Sequence, residues 1–293
     1  MRPIALIALL MAVLLAPDAQ VQADESKINS VPQAFQTDQL VAWCIVPFDA
    51  TKRGPAERVE MLKRLGLRRV AYDWRQEQVQ QFEDEILAYQ QAEIEFFAFW
   101  SWHPSIEPLL IKHDVRPQVW EICPSPKAET QAQRVAAAAE LLLPLVETTK
   151  RLGLPMGLYN HGKWGGQPEN LVAVCKHLRQ HHDADHVGIV YNFHHAHDRV
   201  GDFGESLKRM KPFLICLNLN GMIDPKQHDV TMQRNKIRPI GSGQYETQMI
   251  RQIIQSGYNG PIGILDHRHD LDTEVALKAN LKGLAKLLSA PQH

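Results

Sequence analysis

The feature that most constrains the fold is a pattern that repeats eight times along the chain. Short apolar runs rich in β-branched and aromatic residues are separated by longer segments, most of which have helical periodicity. Nearly continuous apolar strands that alternate with helices are typical of a parallel sheet covered by helices. Eight such units predict an α/β fold, a single (β/α)8 TIM barrel. The predicted strands are residues 40–46, 68–74, 93–100, 117–122, 155–160, 186–192, 213–219 and 261–267.

The predicted barrel occupies residues 39–290, and no domain boundary is evident within it. Gly66, Gly153 and Gly257 stand where helical segments should end before the next strand. A doubly wound open sheet is the alternative fold. No predicted strand is followed by a glycine-rich phosphate turn, so the barrel is favoured.

The N-terminal segment indicates export. Arg2 precedes the apolar run IALIALLMAVLLA, which has the length of a signal-peptide core and is short for a membrane span. Small residues at Val21 and Ala23 predict cleavage after Ala23, so residues 1–23 form a signal peptide and residues 24–38 a flexible lead-in. The expected location is periplasmic or secreted, with no membrane attachment after cleavage. An uncleaved anchor is the alternative.

Composition excludes some partners. The formal charge is −1 and no run is rich in Lys and Arg, which argues against electrostatic capture of nucleic acid. The four cysteines are far apart and form no CxxC pair, which argues against a zinc–cysteine site. Cys44 and Cys216 lie in apolar strand-like runs, so we expect buried free thiols there.

Polar and aromatic side chains follow the predicted strands, whereas the strand bodies are apolar. Chemistry in a TIM barrel takes place at the carboxyl ends of the strands. Aromatic faces cover the C–H surfaces of a sugar, and amides, imidazoles and carboxylates bind its hydroxyls. The pattern therefore predicts a small-molecule carbohydrate ligand. The candidate residues are Trp74, Trp100, Trp102, Asn160, His161, Asn192, His195, Asn218, Asn220, Asp266 and His267.

Each of these signals has a structural alternative. His194, His195 and His197 could be loop histidines that bond to backbone groups. The run HHDADH at 181–186 ends a predicted helix at the opposite rim, where its imidazoles would favour the helix dipole. Asp73 could pair with Arg75.

Four stretches carry a family resemblance: GLYNHG (157–162), VGIVYNFHHAHD (187–198), LNLNGM (217–222) and PIGSGQYETQMIRQIIQSGYNGPIGILDH (239–267). Through them, residues 39–290 resemble the xylose-isomerase-like sugar phosphate isomerase/epimerase TIM barrels. The resemblance implies one divalent cation held by Glu, Asp, His and Glu from strands five to eight. It also implies that the two glutamates move a proton between adjacent carbons through a cis-enediol.

This chain departs from the pattern at each metal position. Tyr159 stands at the first glutamate, Asn192 at the aspartate with His195 a few residues later, Asn218 at the histidine and Asp266 at the final glutamate. Neutral amides and a phenol are poor ligands for magnesium or manganese. Two interpretations stay open. One is an altered cation site made of Asp266, His195 and His267, which would suit zinc. The other is metal-free acid/base chemistry.

The sequence therefore predicts an exported, carbohydrate-active isomerase or epimerase that transfers a proton next to a carbonyl. A keto-glycoside lyase or hydratase would need the same proton abstraction. A non-catalytic sugar-binding protein is the other alternative. The candidate catalytic residues are His161, His195, Asp266 and His267, and the tryptophans and asparagines named above are candidates for substrate binding. The oligomeric state is open.

Overall fold

A computed structural model describes residues 31–290, so the predicted signal peptide lies outside the described residues. The eight strands pair in chain order, all parallel, and β8 pairs with β1 to close a barrel. Each strand lies within its predicted range, and the predicted (β/α)8 barrel is confirmed. The strands are β1 Val41–Trp43, β2 Arg69–Tyr72, β3 Glu95–Trp100, β4 Gln118–Ile122, β5 Met156–Tyr159, β6 Val187–Asn192, β7 Leu214–Leu219 and β8 Ile262–Leu265.

The helices cover the outside of the barrel. They are α1 Pro55–Leu65, α2 Phe82–Gln91, α3 Glu107–Lys112, α4 Gln131–Leu152, α5 Pro168–His182, α6 Phe203–Met210, α7 Gln233–Lys236, α8 Glu246–Gln255 and α9 Thr273–Ser289. The short helices α3 and α7 were not predicted, because fewer than two turns leave no periodicity to detect. Gly66, Gly153 and Gly257 end their helices as predicted, with φ of 72°, 65° and 68°.

An aromatic layer fills the barrel beneath the carboxyl ends of the strands. The Trp43 ring lies edge-on to Trp120, with ring centroids 4.9 Å apart, and to Tyr159 at 6.1 Å. Gly157 makes room for this layer, since a Cβ there would lie 3.1 Å from Trp120 and 2.4 Å from Val190. The layer therefore forms a solid floor for any cavity above it.

Part of the N-terminal lead-in lies within the described residues. Residues 33–35 and 37–39 form 3₁₀ helices, and the side chain of Phe35 is buried in the core. This part of residues 31–38 therefore packs against the barrel, and the flexibility of the lead-in stays a prediction. None of the helices described between residues 31 and 290 is long and apolar enough to cross a membrane. All four cysteines are free and buried, as expected for Cys44 and Cys216.

Candidate functional site

A cavity of about 160 Å³ opens at the carboxyl ends of the strands. A single water needs only about 10–15 Å³, so the cavity has room for a small molecule. Six strand ends contribute to its wall, including those of β5, β6 and β8, which carry the predicted histidines. The lining residues are Trp43, Cys44, Phe48, Asp73, Arg75, Trp100, Tyr159, His161, His195 and His267.

The structure brings the predicted imidazoles together. The ring centroids of His161 and His195 are 4.4 Å apart, and His194 lies 3.8 Å from His195 and 5.3 Å from His267. His267 stacks on Phe48 at 3.8 Å, which fixes the plane of its ring. We call His161, His194, His195 and His267 the inner histidine cluster.

Not every histidine of the sixth loop belongs to this cluster. His197 has its two ring nitrogens within 3.2 Å of the backbone oxygen of Ile223 and 2.9 Å of that of Lys236. The structural alternative is therefore the better description of His197, which ties the loop after β6 to the loop after β7.

The inner cluster is uncharged at neutral pH. Burial lowers the pKa of His195 to about 2 and that of His267 to about 3, and in both cases the positive charge of Lys236 adds to the effect. The ammonium of Lys236 lies 3.4 Å from Nδ1 of His195. The pKa of His161, at the exposed mouth of the cavity, is lowered by the same two causes. Neutral imidazoles can donate or accept hydrogen bonds but are weak bases here.

The asparagines predicted to bind substrate are bonded to one another instead. Asn160 Oδ1 accepts hydrogen bonds from the backbone N and Nδ2 of Asn192, at 2.6 and 3.1 Å. Asn218 Nδ2 donates to Asn192 Oδ1 at 2.7 Å. Asn220 Nδ2 donates to the backbone oxygens of Gly221 and Lys236. All four asparagines are buried and none lines the cavity, so the structure does not support their predicted role as ligand contacts. Instead, Asn160, Asn192 and Asn218 tie the ends of β5, β6 and β7 together, and Asn220 bonds to the backbone of the loop after β7.

Asp266 faces away from the cavity. It lies between Leu265, which packs inside the barrel, and His267, which lines the cavity, and successive side chains of an extended chain alternate in direction. Its Oδ2 accepts a hydrogen bond of 2.6 Å from the Thr273 hydroxyl. Burial raises the pKa of this carboxyl to about 8. The placement does not support the predicted catalytic and metal-binding roles of Asp266.

The described residues do not fit a divalent cation. Among residues 31–290, no three His, Cys, Asp or Glu side chains are arranged to hold a metal ion. Asp266 is turned away from His195 and His267, and the Lys236 ammonium beside His195 would repel a cation. The buried side-chain amides of Asn192 and Asn218 are already hydrogen-bonded to each other. The predicted cation site of Asp266, His195 and His267, whether for Zn, Mn or Mg, is therefore not assembled here.

The aromatic wall differs in part from the prediction. Trp100 lines the cavity, together with Trp43, Phe48 and Tyr159. Trp74 donates from Nε1 to the backbone oxygen of Ser101 and packs on the core, outside the cavity lining, as does Trp102.

Six residues of the lining were not among the candidates: the aromatic Trp43, Phe48 and Tyr159, and the polar Cys44, Asp73 and Arg75. The Asp73 carboxyl is 1% exposed, and neither oxygen has a hydrogen-bond partner. Arg75 forms no salt bridge with it; its guanidinium lies over the rings of Phe48 and Trp100, at 5.0 and 5.4 Å. Alternation along β2 was the signal that could have identified Asp73, because Ala71 points into the barrel and Asp73 follows two positions later.

Comparisons with known proteins give the fold. No protein-family model and no curated protein sequence matches the chain. The crystal structure of 3-keto-D-glucoside 4-epimerase from E. coli is 14% identical, with a TM-score of 0.60, and the match covers 86% of this chain and 99% of that one. A probable 3-DHS dehydratase from Bacillus anthracis is 12% identical, with a TM-score of 0.64 over 84% of this chain and 98% of that one.

A third solved structure carries a metal. A xylose isomerase-like TIM barrel protein from Mycobacterium smegmatis, in complex with magnesium, is 13% identical, with a TM-score of 0.57 over 87% of this chain and 98% of that one. Identities this low establish a shared fold. The resemblance seen in the sequence is thereby confirmed at the level of that fold, over nearly the whole barrel.

Proposed function

We propose that this xylose-isomerase-like TIM barrel is an exported, carbohydrate-active enzyme of the isomerase or epimerase type, which moves a proton next to a carbonyl without a bound cation. One observation carries the proposal: neutral imidazoles from the ends of β5, β6 and β8 converge on a single cavity that has an aromatic wall. Two solved structures with the same fold, a 3-keto-D-glucoside 4-epimerase and a probable 3-DHS dehydratase, support it.

Different lining residues would contact different parts of the sugar. The flat rings of Trp100 and Tyr159 suit the C–H faces of a sugar, and His161 at the mouth is accessible to its hydroxyls. A neutral imidazole donates a hydrogen bond to a carbonyl oxygen and polarises it, which is the role we assign to His195.

Negative charge that develops on the substrate oxygen needs a fixed positive group, because no metal is assigned to this site. Arg75 is always charged and lines the same cavity, held in place by the two rings beneath it and by a hydrogen bond from Nη1 to the Trp74 backbone oxygen. Lys236, behind His195, adds to the positive potential. These two cations would stabilise an enediolate.

The proposal is tested by incubating the purified protein in D₂O with a panel of ketoses, aldoses and 3-keto-glycosides, with a metal chelator present. We expect deuterium at the carbon next to the carbonyl and, for at least one substrate, an isomer or elimination product detected by NMR. A chelator that abolishes the exchange would contradict the metal-free chemistry. Saturable sugar binding without any exchange would instead support the sugar-binding alternative.

A further inference from the structure

We infer that Asp73 is the group of this cavity that takes the substrate proton, and that Cys44 and His267 are the residues that position it. The inference rests on the proposed function, which leaves the proton acceptor unassigned. Asp73 stands at the end of β2, across the barrel from His161 and His195, and shares the cavity wall with Cys44 and His267.

The first argument is the missing partners of Asp73. Two other buried carboxyls are fully satisfied: Asp49 binds the guanidinium of Arg53 and three backbone N–H groups, and Glu246 accepts from three backbone N–H groups. Asp266 and Glu85 each have one oxygen without a partner. Burying a polar group without partners costs about 1–3 kcal/mol, more for a charged one. Among the described residues, Asp73 is the buried carboxyl with neither oxygen hydrogen-bonded, and it is also the carboxyl of the cavity lining, where a ligand could supply the missing partner.

The second argument is the geometry beside Asp73. Cys44 and His267 both have positive φ, 56° and 60°, which costs free energy for residues other than glycine. Backbone hydrogen bonds between β1 and β8 hold them in this conformation, from Asp266 N to Trp43 O and from His267 N to Cys44 O. As a result, Nδ1 of His267 lies 3.1 Å from Sγ of Cys44. The thiol is thus fixed between the imidazole and the cavity wall that carries Asp73.

The third argument is basicity. Burial raises the pKa of Asp73 to about 7, opposed by the charge of Arg75, by the nearby backbone N–H groups of Val46 and of Asp73 itself and, more weakly, by the charge of Arg58. The pKa values of His195 and His267, about 2 and 3, are too low for these imidazoles to hold a proton at neutral pH. A group that gains and loses a proton near the working pH is the best general base. Of the groups lining the cavity, Asp73 meets that condition.

The proton transfer can be completed by groups of this cavity alone. The base takes the proton from the carbon beside the carbonyl, and the electrons of that C–H bond form the C=C bond of the enediolate. The carbonyl oxygen receives the negative charge, stabilised by Arg75 and by the His195 N–H. In an isomerisation, Asp73 then returns its proton to the former carbonyl carbon, and the proton of the neighbouring hydroxyl passes to the oxygen of that carbon, so the neighbouring carbon becomes the new carbonyl and no further reactant is needed.

The activity test compares Asp73→Asn with Glu121→Gln. Glu121 is the matched control, because it is also a carboxyl at a strand end, but it accepts hydrogen bonds from the backbone of Trp102 and Ile122 and does not line the cavity. We expect Asp73→Asn to slow deuterium exchange by about 10²–10⁴-fold with its circular dichroism unchanged, and Glu121→Gln to leave the rate within a few fold. Exchange that survives in Asp73→Asn would overturn the inference and leave the proposed function standing.

A second measurement needs no substrate. Burial raises the pKa of the Cys44 thiol, and the negative charge of Asp73 raises it further. Asp73→Asn should therefore lower that pKa and increase the rate at which iodoacetamide alkylates Cys44 at pH 8, measured by mass spectrometry, with buried Cys216 as the internal reference. Equal rates in both proteins would refute the coupling between Asp73 and Cys44. If no carbohydrate exchanges with the wild-type protein, the proposed function and the role of Asp73 as base both fail, whereas the alkylation result still decides whether the two groups interact.

Discussion

The chain holds two groups of histidines that are equally crowded but differ in surroundings. Within the inner cluster, ring centroids lie 3.8–5.3 Å apart, and in a second group, at the C-terminal end of α5, they lie 4.5 and 5.7 Å apart. The α5 group is partly exposed to solvent at the opposite rim, whereas the inner cluster lines or backs a cavity. Proximity alone therefore does not make a site. The α5 group consists of His177, His181 and His182.

The two groups also differ in what determines their protonation. In the inner cluster, burial is the first cause of the low pKa of His195, and the charge of Lys236 is the second. In the α5 group, a small degree of burial lowers the pKa of His177, and its two neighbouring histidines lower it further. The inner imidazoles are thus fixed in one charge state over the physiological range, which is a property that a binding site needs and a surface does not.

The largest expected difference between the groups is in activity. His195→Ala removes the neutral donor that polarises the carbonyl, and we expect the rate of deuterium exchange to fall by about 10²–10⁴-fold. His181→Ala, in the α5 group, should leave the rate unchanged. NMR of the exchanging substrate measures both. Equal rates in the two variants would remove the functional distinction between the clusters.

A smaller difference is expected in acid stability. Unfolded histidine has a pKa of roughly 6.5, whereas His195 and His267 have folded values of about 2 and 3. The unfolded state therefore binds more protons below pH 6.5, so stability is complete above that pH and is lost as the pH falls towards the folded values. Each group can contribute up to about 1.4 kcal/mol per pH unit, and access of water to the cavity reduces this.

We therefore expect a loss of about 1–3 kcal/mol in the free energy of unfolding between pH 6.5 and 5.5, measured by urea denaturation. The double variant His195→Gln and His267→Gln should flatten this dependence. If the slope is the same in the variant and the wild-type protein, the inner imidazoles are not held neutral.

The smallest effect is expected in the α5 group. His181→Gln combined with His182→Gln replaces one exposed and one half-buried side chain on a helix end, and surface changes of this kind shift stability by about 0.5 kcal/mol or less. The free energy of unfolding at pH 7 measures it. A loss of several kcal/mol would mean that these histidines hold the helix against the barrel, contrary to their exposure.

The sequence predicted the architecture well because strand and helix patterns are properties of whole segments. All eight strands and most helices follow from hydrophobic periodicity, and glycines such as Gly66 and Gly153 mark the helix ends. Placement of the site at the strand ends, and the meeting of His161, His195 and His267, also follow from the fold. Export remains a prediction, since the segment that carries it lies outside the described residues.

The errors concern the direction in which single side chains point. Asp266 was favoured because it is charged and adjacent to His267, yet one step along an extended chain reverses the direction of a side chain. The asparagines were favoured for their polarity, but mutual hydrogen bonds cannot be inferred from one sequence. Asp73 was not chosen as a candidate because Arg75, two positions later, could have formed a salt bridge with it. In the structure the two residues form no salt bridge.

The contact between Cys44 and His267 joins residues 223 positions apart, at the seam where the first strand meets the last. Hydrogen bonds between the ends of β8 and β1 hold both residues at positive φ, so the pairing that closes the barrel also completes this wall of the cavity. A chain without β8 would leave the Cys44 thiol without its imidazole neighbour and the cavity without one of its walls.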